Sequence, residues 1–119
     1  MKGILLTIFG LLGTIIIVQG QTIKQPSDTM QVVLDNEQMT VTEYVSTPGK
    51  DVCGADKHSH PAHLSILLTD AMVQLTGEDG KAQSIDLKSG TTFWSEEETH
   101  TVVNTGDEAV RVYLVELKK

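Results

Sequence analysis

What the chain lacks narrows it first. Cysteine occurs once, at Cys53, so no intrachain disulfide framework is available. Aromatic residues make up 4% of the chain, too few for rows of stacked rings. Basic residues are scarce, 9 Lys+Arg against 16 Asp+Glu, giving a formal net charge of −7. An acidic chain without a basic stripe does not suit nucleic acid or an anionic membrane surface. Helical periodicity is missing beyond the N-terminal segment, and so are internal repeats and low-complexity tracts. There is no phosphate-cradling Gly-rich loop, no dinucleotide fingerprint, no H-E-x-x-H helix and no G-x-S-x-G elbow. These absences remove whole reaction classes.

The one long apolar run stands at the N-terminus. Lys2 supplies a positive start, Gly3 to Val18 is uncharged and apolar, and Gly20 offers a small residue for cleavage. This is the layout of a secretory signal. The run is shorter than the about 20 apolar residues that span a bilayer. We therefore expect a signal over residues 1–20, cleavage after Gly20, a secreted or periplasmic product and no stable membrane span after cleavage. Residues 21–30, with Pro26, read as a flexible lead-in, and residues 31–119 as one domain.

Within that domain, short runs rich in Val, Ile, Leu and Thr alternate with turn residues. Strands are expected at 31–34, 39–46, 64–68, 71–76, 83–87, 91–94, 100–103 and 109–117. In the second of these, Met39, Val41 and Val45 share a face. Gly77-Glu78-Asp79-Gly80 is a hairpin turn, since Asp-Gly tolerates positive φ. Evenly spaced short strands imply an all-β fold, a small antiparallel sandwich or barrel. The aromatics Phe93, Trp94, Tyr44 and Tyr113 are expected to divide between core and cavity wall.

The histidines are clustered: His58, His60 and His63, then His100 on a later strand, and none elsewhere. Residues two apart on a strand face one way, so His58 and His60 can aim at one point. With His100 beside them they form a ligand set for a first-row transition metal. Pro61 bends the strand, and the bend can return His63 to the same site. Cys53 has two readings: a small packed hydrophobe, which is preferred, or a reactive thiol beside a histidine. Glu96, Glu97 and Glu98 read as a solvated loop, with Glu98 the candidate exception, as ligand or general base, because it stands two residues before His100. Asn104 reads as a turn-fixing residue.

Two stretches resemble a known family. Gly54 to Ser65 contains His58-Ser59-His60-Pro61-Ala62-His63, and Gly90 to Asn104 contains Gly90, His100 and Asn104. Together they resemble the two metal-binding motifs of the cupins, closest to small single-domain members with an H-x-H-P-x-x-H first motif. The departures are specific. The family's glutamate would fall at Leu64 or Ser65, and His63 is its natural substitute. The glycine expected near 71 is Ala71, and the acidic loop replaces Pro-x-Gly.

The resemblance implies a jelly-roll β-barrel holding one divalent metal (Fe, Mn, Ni, Cu or Zn) through His58, His60, His63 and His100. It implies metal-assisted dioxygenase, isomerase or lyase chemistry on a small organic molecule, with no catalytic residue assignable. The alternative is a non-catalytic module that binds a small molecule or metal. A homodimer is possible, covering an exposed edge such as the first strand.

Overall fold

The computed structural model describes residues 27–54 and 57–119. The expected signal and residues 21–26 of the lead-in lie outside that range. The described residues form nine strands in two antiparallel sheets, with no helix among them.

The strands are β1 (Thr29–Asp35), β2 (Met39–Ser46), β3 (His58–His60), β4 (His63–Leu67), β5 (Ala71–Gly77), β6 (Ala82–Leu87), β7 (Thr92–Ser95), β8 (Glu98–Asn104) and β9 (Val110–Leu117). One sheet runs β1-β2-β9-β4-β7 and the other β3-β8-β5-β6. The all-β expectation holds, and every expected strand has a counterpart. β1 starts at Thr29, so the ordered domain begins slightly ahead of residue 31. Glu98 belongs to β8, which leaves Glu96 and Glu97 as the acidic loop.

Turn chemistry explains the boundaries. Between β5 and β6, Gly80 takes φ 81° and the Lys81 N–H donates to Asp79 Oδ1 at 3.0 Å. Gly90 takes φ 87° ahead of β7, a region where a Cβ is strained.

Alternation then builds the core. Leu67, Val112 and Leu114 from one sheet face Ala71 and Val73 from the other, and Ile85, Leu87 and Val102 pack against them. In β2 the buried face is Thr42, Tyr44 and Ser46, and Val41 and Val45 face outward. The apolar face of β2 is thus not its buried face, because sidedness is set by the neighbours. Tyr44 and Ser46 sit opposite the inward Val112 and Val110 of β9.

Candidate metal centre

β3 ends at His60 and β4 begins at His63. Pro61 and Ala62 carry the chain from the four-stranded sheet to the five-stranded one. Proline has no N–H for a ladder, which suits it to this break. The break brings His63 inward, where it is buried at the start of β4.

β3 pairs with β8 so that His58 stands opposite His100 and His60 opposite Glu98. Opposed residues share a face, and so do residues two apart on a strand. His58, His60, Glu98 and His100 therefore form a square of side chains on one sheet, and His63 joins from the other. Ring centroids are 4.9 Å apart for His100 and His58, 4.8 Å for His58 and His60, and 5.3 Å for His60 and His63. All the expected histidines meet in one run of edge-on rings.

Three of these rings have a polar neighbour at Nδ1, and His63 is hydrogen-bonded there. His63 Nδ1 is 2.8 Å from the Pro61 carbonyl, which can only accept, so the ring donates there and its lone pair is on Nε2. His100 Nδ1 lies 2.9 Å from Glu98 Oε1, an ion-pair approach and not an aligned hydrogen bond. His58 Nδ1 lies 3.7 Å from Asp51 Oδ1. The Asp51 side chain is buried and clamped, accepting from the Cys53 N–H at 2.8 Å and the Val102 N–H at 3.1 Å. Metal-ligating histidines characteristically carry such an outer partner. Asp51 was not foreseen: nothing local marks it, and only its bridge to Val103 on β8 carries it to the site.

His60 is the centre of the run. Its Nε2 is buried and has no hydrogen-bond partner among the described residues. Burial, and then the neighbouring His58, His63 and His100, push its pKa down to about 4, so the ring is neutral at physiological pH. Burial also lowers His100, against the pull of Glu98. A buried polar atom left unpaired costs about 1–3 kcal/mol, so a site that keeps one is built for a partner. A neutral His60 with a buried, unpartnered Nε2, set among further imidazoles, offers the kind of donor that a first-row transition metal takes, and the residues fit one.

Cys53 enters the same group. One ligand atom each from Cys53, His58 and His60 lie within 4.8 Å of one another, a tighter set than the full run of histidines. Burial, with Asp51 adding to it, pushes the thiol up to about 12, so without a metal it is a thiol and not a nucleophilic thiolate. Its packing reading stands, since it lies against the core. Its place beside the histidines matches the less favoured of its two expected readings, which rested on its standing five residues before His58, although the thiol is not the reactive one expected there.

A cavity of about 260 Å³ opens beside these groups. His60, His63, His100, Cys53 and Glu98 supply most of its polar wall, and valine, leucine and isoleucine from both sheets supply most of the rest. No lysine or arginine lines it. Of the three acids only Glu98 reaches it; Glu96 instead accepts from Trp94 Nε1 at 3.2 Å. Phe93 is on the cavity wall as expected, but Trp94 is neither core nor wall. Strand alternation turns it to the outer face, 48% exposed. Asn104 fixes a turn and does not line the cavity.

The two-sheet architecture has counterparts among solved structures. A cupin domain from Bordetella pertussis Tohama I is 25% identical, covering 82% of this chain and 100% of its own, with a TM-score of 0.68. An RmlC-like cupin family protein with a double-stranded β-helix fold, from Methanocaldococcus jannaschii, is 14% identical over 82% of this chain and 85% of its own, TM-score 0.63. The polyketide cyclase RemF from Streptomyces resistomycificus is 18% identical over 82% of this chain and 71% of its own, TM-score 0.60.

The chain has the cupin fold.

No protein-family model matches it, and no curated protein does. Within this fold the position expected for a motif glutamate is vacated in a definite way. Ser65 faces inward without a carboxylate, and Leu64 is on the opposite face of β4. The carboxylate beside the histidines comes instead from β8, as Glu98 opposite His60.

Proposed function

We propose that this cupin is an exported protein that holds one divalent transition metal at the mouth of an apolar barrel and takes a small, uncharged organic molecule beside it. His58, His60, His63 and His100 would hold the metal, with Cys53 a further donor. The observation that carries this reading is the buried, partnerless Nε2 of a neutral His60 within a run of imidazoles. When bound, such a metal supplies a Lewis acid that polarises an oxygen of the ligand.

The chain's own residues do the rest. The Pro61 carbonyl orients His63 by accepting from Nδ1, and the carboxylates of Asp51 and Glu98 stand beside Nδ1 of His58 and His100. The aliphatic wall excludes water. The absence of lysine and arginine from it leaves no protein cation to pair with a phosphate or a second carboxylate. A sugar would strand several hydroxyls against the same wall. The cavity volume suits a molecule on the order of ten non-hydrogen atoms.

A non-catalytic binding role is the second reading. Its support is that four nitrogen donors would leave few coordination positions open for a reacting ligand. Export rests on the sequence layout of residues 1–20 alone.

The test is metal content. Protein purified without a polyhistidine tag and offered Fe, Mn, Ni, Cu and Zn should retain about one metal per chain by mass spectrometry, the stoichiometry of a single closed site. No retained metal under any condition would refute the reading. Thermal shifts with indole and p-cresol, against glucose 1-phosphate as a charged control, test the cavity separately. Turnover of a bound molecule by the metal-loaded protein would decide between enzyme and binder.

A further inference from the structure

The donors around the histidines are soft where the motif would supply a hard one. Ser65 and Leu64 take the place of the motif glutamate, and neither carries a carboxylate. Glu98 is the one carboxylate on the cavity wall among the described residues. Its Oε1 stands 2.9 Å from His100 Nδ1, and its side chain is about half exposed. The inner donor beside the rings is instead a sulfur. One ligand atom each from Cys53, His58 and His60 lie within 4.8 Å of one another. Three atoms no farther apart than that all fit within about 2.8 Å of a common centre, against bonds of about 2.3 Å to sulfur and about 2.0–2.1 Å to imidazole nitrogen. Small side-chain rotations cover the difference.

The thiol is held there by more than its own packing. The Cys53 N–H donates to Asp51 Oδ1 at 2.8 Å, and Asp51 Oδ2 accepts from the Val102 N–H at 3.1 Å. The Val52 N–H donates to the Val102 carbonyl at 2.7 Å. These bonds stitch the loop from Asp51 to Gly54 onto β8, the strand that carries His100. Gly54 follows the thiol at φ 81°, a conformation that a Cβ would strain. Asp51 Oδ1 also lies 3.7 Å from His58 Nδ1. One buried carboxylate thus fixes the backbone of Cys53 and faces the ring of His58. His60 completes the triangle, with Nε2 buried and partnerless among the described residues. Cys53 and His60 line the cavity, so an ion in the triangle borders it through them.

We propose that Cys53 binds the metal as a thiolate, together with His58 and His60, and so biases the site toward thiophilic ions, zinc or copper, and away from manganese. This rests on the metal reading above and names its first ligands, with His63 and His100 next to them in the run. On binding, the S–H bond breaks, the sulfur electron pair forms the bond to the metal, and the proton leaves to solvent. No electron is transferred. Thiolate selects zinc and copper, whereas manganese favours carboxylate, carbonyl and water oxygens. Losing the motif carboxylate and gaining a positioned thiol both push the site in that direction.

The experiment loads the full chain, as the cell processes it, with zinc and reads X-ray absorption at the zinc edge. One sulfur at about 2.3 Å, with nitrogens at about 2.0–2.1 Å, is the expected shell. Cobalt(II) in place of zinc should give a sulfur-to-metal charge-transfer band. Cys53→Ser should lose that band. Its zinc affinity, by chelator competition, should fall about 100-fold or more, and its manganese affinity should change less than about 3-fold. The absorption measurement needs no variant, so it stands if Cys53→Ser fails to fold. A shell of nitrogen and oxygen alone, at one zinc per chain, would overturn the thiolate and leave the metal reading standing. So would an unchanged zinc-to-manganese preference in folded Cys53→Ser. No retained metal would overturn both.

Discussion

The two ends of β8 carry buried polar side chains under opposite rules. At one end Asn104 is fully buried and its amide is used on both sides: Oδ1 accepts from the Gly106 N–H, and Nδ2 donates to the Ser46 and Glu108 carbonyls. At the other end His100 joins the imidazole run, and His60 keeps a buried nitrogen without a partner. Ser46 Oγ is a lesser exception at the closed end, where its carbonyl is nevertheless taken by Asn104. The same strand thus closes the fold with one amide and opens a site with one imidazole. Satisfied polar groups hold structure together, and a buried nitrogen left unsatisfied, as His60 Nε2 is, marks a place for a ligand.

The strongest way to break this comparison is to remove the waiting end. His58→Ala with His60→Ala should abolish metal retention while circular dichroism still reports a folded β protein. Unchanged metal content would refute the division of roles. Next comes the closed end. Asn104→Ala strands buried backbone groups and should cost about 2–4 kcal/mol in denaturant unfolding, with metal stoichiometry unchanged. If the loss is under about 0.5 kcal/mol, the amide is not holding that turn.

Asp51→Asn sharpens the line between the two ends. It keeps an acceptor for the Cys53 or Val102 N–H but removes the charge facing His58 Nδ1. Metal affinity, measured by chelator competition, should fall about 10–100-fold. An unchanged affinity would reduce Asp51 to a loop clamp.

The smallest effect is on acid stability without metal. Folding lowers the His60 pKa from 6.5 to about 4, so the unfolded chain binds the proton more readily. Stability from this group is full above pH 6.5 and is lost as the pH falls toward 4. The melting temperature of metal-free protein should decline across that window, and His60→Gln should flatten part of the decline. An identical pH profile in His60→Gln would sink the assignment.

The strands were legible for local reasons. The Gly77–Gly80 hairpin and the turn at Ser89-Gly90 announce their boundaries through residues that tolerate special φ. The histidines were legible because His58 and His60 share a strand face by spacing alone. Three things were not legible. β2 buries Thr42, Tyr44 and Ser46 in place of its valines, because the facing strands decide which side is dry. Trp94 turns outward because Phe93 turns inward. Asp51 reaches His58 only because residue 51 bridges to residue 103.

What the sequence determines by itself is local: where the strands run, where they turn, and which histidines can share a face. These follow from period-two alternation and from the stereochemistry of glycine and proline, both readable within a few residues. What only the tertiary structure decides is non-local. The register of β3 against β8 sets His60 against Glu98, the crossing at Pro61 brings His63 from the other sheet, and the order β1-β2-β9-β4-β7 aligns Leu34 through Trp94 into one apolar row. Each depends on pairing between segments far apart in the chain. Cross-strand register, set when the two sheets close on a common core, has no short-range signal.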